Sequence, residues 1–207
     1  GLKPFLVNGK IIKSYNQFYN KKLATLKSYV GKGSSNKIRK LTFKRNNKVH
    51  DFMHKTSRFI IDYCSQFNIG TIIIGKNDGW KQSINIGKSN QKFVCIPFNK
   101  LIEMIQYKAE QVGINVILQE ESYTSKCDAL ALEELRHHEK YLGKRKKRGL
   151  FQSIVNKLIN ADINGSLNIG RKVIENSFLK EKIFDRGFVF NPCRLYPTKQ
   201  NLLKLVN

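Results

Sequence analysis

The chain has 207 residues, enough for one α/β core with extensions and too few for several large domains. Its 38 Lys and Arg face 15 Asp and Glu, a net charge of +23; such an excess opposes compaction unless a polyanion neutralises it, so nucleic acid is the economical partner. No run of about 18 apolar residues and no signal-peptide pattern occurs, so no membrane partner is expected and a soluble, cytoplasmic protein is.

Taken in order, Pro4 to Lys13 holds two short apolar runs around Asn8-Gly9, a dipeptide that favours a type I′ turn and predicts a β-hairpin. The chain opens on Gly1 without a methionine, which predicts a missing N-terminal portion. From Ser14 to Val30, Tyr15, Phe18, Tyr19, Leu23 and Leu26 recur at helical spacing, and Gly31 to Ser35 breaks the pattern. A longer helix is predicted over 36–67, with Ile38, Leu41, Phe52, Ile60, Ile61 and Cys64 inward and Arg39, Lys40, Lys44, Arg45, Lys48, Lys55 and Arg58 outward. Lysine-rich faces interleaved with Tyr and Phe suit either a nucleic-acid backbone with aromatic platforms or ordinary solvated helices.

Thr71 to Ile74 is a β-branched run, predicting a central strand buried on both faces. Asn77 to Trp80 leaves it as a loop, and Trp80 and Lys81 are candidate nucleic-acid contacts. Phe98 to Val112 has helical periodicity, with Pro97 and Gly113 as punctuation, and "INVILQEE" is a second strand ending in Glu120 and Glu121. Strand, helix, strand predicts a right-handed βαβ unit. Ser122 to Leu142 is polar and ambiguous. The cation block Lys144, Arg145, Lys146, Lys147 and Arg148 reads as a nucleic-acid contact or a solvated loop. The end of the chain reads as a tail. Cys64, Cys95, Cys127 and Cys193 form no C-x-x-C pair, so reduced thiols are expected.

The stretch "LINADINGSLNIGRKVI" places Asp162 at the mouth of a helix among Asn160, Asn164 and Asn168. Carboxylates at strand ends and at a helix start can hold two divalent cations about 4 Å apart, a pair that activates water for phosphodiester cleavage; hard Mg²⁺ takes oxygen ligands. Spacing alone makes Asp162 equally a helix cap or a metal ligand. Glu120 and Glu121 point to opposite faces of an extended segment, and the sequence does not say which faces the site.

In this order "TIIIGKNDGWKQ", "FVCIPFNKLIEMIQYKAEQVGI", "EESYTSK" and "KRGLF…LINADINGSLNIGRK" resemble the TnpB (OrfB) proteins of bacterial insertion sequences, as does the upstream "LVNGKIIKSYNQFYNKKLATL…KVHDFMHKTSRFI". The resemblance implies an α/β fold of the RNase H-like, RuvC type, a mixed sheet flanked by helices, with its first strand missing. It spans 1–178, with a basic helical insertion at about 15–67 and a degenerate zinc-ribbon position at about 122–157; 179–207 is the tail. It also implies a Mg²⁺-dependent endonuclease guided by RNA to target DNA, with no small-molecule cofactor. The family's last catalytic aspartate falls on Asp162, and Asn164 and Asn168 match its amides. Its first aspartate lies upstream of this chain, and the glutamate ending its central strand is replaced by Gly75. Glu121, or Glu120 in reserve, is then the substitute acid, making Asp162 and Glu121 the metal ligands. Of the zinc ribbon's cysteines only Cys127 remains, and one thiolate makes no tetrahedral site, so no zinc is expected. The rival expectations are a nuclease-inactive, RNA-guided DNA-binding repressor, which the loss at Gly75 favours, and a decayed transposase fragment that never folds.

Overall fold

The computed structural model describes residues 2, 4–77, 96–174 and 192–197. In chain order it contains β1 (Phe5–Val7), α1 (Lys10–Val30), α2 (Asn36–Gln66), β2 (Thr71–Lys76), α3 (Phe98–Glu110), β3 (Asn115–Glu120), β4 (Lys144–Lys147), β5 (Leu150–Gln152), β6 (Leu158–Asn160), α4 (Ala161–Ile174) and β7 (Cys193–Leu195). The architecture is mixed α/β with small sheets, and the chain divides into two compact units, one built of α1, α2 and α3 and one carrying the sheets and α4. No helix among the described residues is long and apolar enough to cross a membrane.

In the helical unit, α2 begins where Ser35 Oγ accepts a hydrogen bond from the Ile38 amide at 3.3 Å, a side-chain cap that satisfies one orphan donor. It runs for 31 residues and packs against both α1 and α3. Ile12, Val49, Met53, Ile96 and Met104 form the core, closed by Phe52, Phe98 and Leu101. Each large apolar side chain removed from water here contributes about 1.5–3 kcal/mol. Of the predicted inward residues, Ile38, Ile61 and Cys64 are buried; Val112, read as the last residue of the helical periodicity, lies beyond α3 and is exposed.

The hairpin expected at Asn8-Gly9 is not formed. Asn8 Oδ1 instead accepts from the Lys10 amide at 3.1 Å, and α1 starts at Lys10, four residues earlier than the periodicity suggested, taking Ile12 into the core. The local turn preference loses to that burial, and β1 finds its partner in β7, from the far end of the chain.

In the other unit, β2 and β3 pair in parallel from Thr71↔Asn115 to Lys76↔Glu120. Parallel neighbours need a long crossover, and α3 lies in the connecting stretch. Expected to be buried on both faces, β2 is instead only partly covered, and among the described residues β3 is its one strand neighbour. Strands β4, β5 and β6 form a separate antiparallel sheet, with β4 turning into β5 at Gly149, whose φ of +77° suits glycine. Leu130, Phe151, Ile159, Ala161 and Ile163 are its core, with Leu6 and Leu167 packed on them. Strand β6 leads without a break into α4, which packs along β2 and β3.

Candidate active site

Asn160, the last residue of β6, caps α4: its Oδ1 accepts from the Asp162 amide at 2.8 Å and the Ile163 amide at 3.3 Å. That removes the capping role from Asp162. Its carboxylate sits exposed in the first turn, where the helix dipole favours negative charge, and has no hydrogen-bond or ion-pair partner among the described residues.

One face of α4 is tied to the segment that follows Glu121. Asn164 Oδ1 accepts from the Ala129 amide at 3.0 Å, and its Nδ2 donates to the Cys127 carbonyl at 2.9 Å. Asn168 Nδ2 donates to the carbonyls of Thr124 and Cys127 at 2.9 and 2.8 Å, while Arg171 Nη1 donates to Asn168 Oδ1 at 2.8 Å. Both asparagines are wholly buried. Removing either would strand buried backbone groups at about 1–3 kcal/mol each.

The two glutamates diverge as strand geometry requires. Glu120 accepts from the Ser122 amide and hydroxyl, both at 2.6 Å, and from Lys172 Nζ at 3.0 Å. The Ser122 hydroxyl and then Lys172 hold its carboxyl below the usual range. Glu121 points to Gly75 instead. A Cβ built on Gly75 would stand 2.8 Å from Glu121 Oε2 and 2.6 Å from Ile169 Cδ1, so the carboxylate fills the room that a side chain at 75 would need. The Glu121 carboxylate likewise has no partner among the described residues. Ile169 and Asp162 share a stripe of α4, two turns or about 10 Å apart along the axis. Among the described residues no three of His, Cys, Asp and Glu gather tightly enough to hold a metal ion.

The segment 122–142 is irregular but pinned by two buried acids. Asp128 Oδ1 accepts from the amides of Leu130 and Ala131, and its Oδ2 from the Ser153 hydroxyl at 2.7 Å and the Ile154 amide at 2.8 Å. Glu133 accepts from the amides of Asp128 at 2.7 Å and Leu142 at 2.8 Å. Cys127 is buried, its Sγ directed at the carbonyls of Glu134 and Arg136, and burial, with the Glu133 charge beside it, pushes the thiol pKa up. Sequence reasoning missed Asp128, Glu133 and Lys172: Asp128 and Lys172 meet partners 25 to 52 residues away, and Glu133 acts within an irregular segment that has no periodicity to read.

The family described as probable transposase, OrfB_IS605, matches residues 2–81, and the Cas12f1-like TNB domain family matches residues 98–169. These two consecutive matches decide the family. The chain belongs to the TnpB (OrfB) family. A solved structure, the cryo-EM Cas12f1–sgRNA–target DNA complex, resembles it with a TM-score of 0.53 and 23% identity over 73% of this chain. The present chain spans 40% of that Cas12f1 chain. No curated protein matches.

Within this TnpB-family chain the predicted nucleic-acid contacts fall into four groups. Lys144, Arg145, Lys146 and Lys147 are exposed along β4 and Arg148 is exposed in the turn after it; the block is an ordered strand with a bulge between Arg145 and Lys147. Lys44 is exposed, Lys55 is exposed but 2.8 Å from Asp51, and Arg58 lies 4.0 Å from Asp62. Arg45 is drawn inward: its Nε donates to buried Asn16 Oδ1 at 2.8 Å, and its guanidinium lies over Tyr19. That position ties α1 to α2. Trp80 and Lys81 lie outside the described residues.

Proposed function

We propose that the chain is the C-terminal, nuclease-bearing part of a TnpB-type RNA-guided DNA endonuclease with an RNase H-like, RuvC-type site. The observation that carries this reading is the release of Asp162 from capping duty by Asn160, in a chain otherwise dominated by positive charge. Asp162 and Glu121 are oxygen donors without protein partners, the donor chemistry that hard Mg²⁺ takes, and they would hold it together with an acid from outside the described residues. When bound, the metal supplies activation of water and charge stabilisation at the scissile phosphate. The chain's own contribution is positional. Asn164 and Asn168 fix the start of α4 against the segment after Glu121, and the exposed cations of β4 offer phosphate contacts in the same unit. Guide RNA and target DNA are the partners, and Glu120 is left out of the ligand set because Ser122 and Lys172 already engage its oxygens.

The test is cleavage of target DNA by the full-length parent loaded with its RNA. Asp162→Ala should abolish cutting while RNA binding persists; cutting at the wild-type rate refutes the assignment.

One observation favours a second reading, a nuclease-inactive RNA-guided DNA-binding protein: no three metal-ligating side chains converge among the described residues. Titrating Mg²⁺ into the loaded full-length protein separates the two, since a binder yields no product at any concentration.

A further inference from the structure

A groove of about 750 Å³ opens along α1 and α2, within one compact unit and independent of the acidic site. Its floor is aromatic. Tyr15 and Phe18, one turn apart on α1, stack with ring centroids 6.3 Å apart and planes at 29°, and Phe52 of α2 lies beside them. Phe18 leaves 50% of its surface in water, and Ile11, which also lines the groove, 51%. The rim is cationic: Lys10, Lys48 and Lys55 border the groove, and Lys48 Nζ lies 5.2 Å from the Tyr15 ring centroid. The lone acid there, Asp51, is held by Lys55 at 2.8 Å.

An apolar helix laid into this groove would satisfy the floor but leave the lysines facing its backbone. A nucleotide satisfies both, because its base has a face to stack and its phosphates have charge to meet ammonium groups. A volume of this size falls in the ordinary range for ligand sites. The Asp51 carboxylate, which also lines the groove, repels phosphate but can accept from a ribose 2′-hydroxyl, the group that distinguishes RNA, and the Ser14 hydroxyl can bond either sugar or phosphate.

We propose that this groove seats an unpaired nucleotide of single-stranded RNA. The base continues the Tyr15–Phe18 stack on the open face of Phe18, the flanking phosphates meet Lys10 and Lys48, and the ribose lies toward Asp51 and Ser14. The proposal shares with the proposed function only the class of partner, and it needs neither Asp162 nor a metal.

The experiment measures fluorescence anisotropy of a labelled, unstructured 12-nucleotide RNA with the full chain in EDTA, across a range of salt. A DNA of the same sequence and a 12-base-pair duplex serve as comparisons. Phe18→Ala should weaken RNA binding by roughly 5- to 150-fold, the range for loss of one base–aromatic stack, with an unchanged salt slope. Lys48→Ala should reduce that slope by about 1. Phe18→Trp should retain affinity and add a tryptophan emission that RNA quenches. Wild-type affinity in Phe18→Ala, or an unquenched added tryptophan, overturns the proposal. An equal loss on DNA overturns the choice of RNA, and an equal loss on the duplex overturns stacking. A changed sedimentation coefficient in Phe18→Ala with intact RNA binding identifies an interface between copies and also overturns it. Because all arms run without metal, a failed nuclease assignment leaves the result readable.

Discussion

The Glu121 carboxylate occupies the space beside Gly75: its Oε2 is 2.8 Å from where a Cβ at residue 75 would stand. Glycine at 75, within β2, is what leaves room for that carboxylate. If Glu121 is the working acid, Glu121→Gln should lower cleavage by the loaded full-length protein by about 10²-fold or more, given several kcal/mol of metal-borne stabilisation. Glu120→Gln should leave cleavage within a few fold. The reverse ranking would assign the role to Glu120.

Gly75→Ala forces Ile169 and the Glu121 carboxylate aside. Both clashing atoms end side chains that can shift, so the expected stability loss is about 1–3 kcal/mol. Cleavage should fall further than that loss explains. Urea denaturation beside a cleavage assay separates the two effects.

Asn160→Ala removes the cap of α4 and should cost about 0.5–2 kcal/mol, measured as a shifted urea midpoint at constant slope. Asn160→Asp should recover most of it. A neutral result for Asn160→Ala would return the capping role to Asp162.

If the segment 122–157 is held by Asp128 and Glu133 rather than by a metal, EDTA should leave the thermal midpoint unchanged, whereas Asp128→Ala, which strands four donors, should lower it by several degrees. A large EDTA effect would point to a bound ion.

Acid should weaken the helical unit. Burial, then the nearby Lys108, lowers the pKa of His54 below 6.5. The unfolded chain therefore takes up the proton first as pH falls, so stability is present above about pH 6.5 and is lost on descending through the folded value. Lys108, buried with its Nζ donating to Ser57 Oγ at 2.6 Å and to the His54 carbonyl at 3.0 Å, adds repulsion once His54 is charged. His54→Gln should flatten thermal midpoints measured between pH 5 and 8.

How much of this was legible depended on whether the cause was local. The 36–67 helix was readable because its periodicity, and the cap at Ser35, lie within the segment itself. Asn8-Gly9 misled because a two-residue turn preference is weak beside the burial of Ile12, and because β1 pairs with β7. Spacing left Asp162 undecided between cap and ligand; the cap itself lies two residues earlier, in Asn160. The choice between Glu120 and Glu121 rests on Lys172 and Gly75, about 50 residues away on either side, where no local pattern reaches. Arg45 read as a surface cation since nothing in α2 alone reveals Asn16 beneath it.

The four contacts by which Asn164 and Asn168 grip the segment 124–129 are made by side-chain amides that carry no net charge. When a polyanion arrives at a surface this cationic, the local potential and the surrounding salt change greatly, and ion pairs in the scaffold would loosen or shift with them. Amide-to-backbone bonds, which join uncharged groups, respond less to that change. The four amide links beneath Asp162 are thus less open to such an electrical disturbance than the Asp128 and Glu133 contacts that pin the same segment.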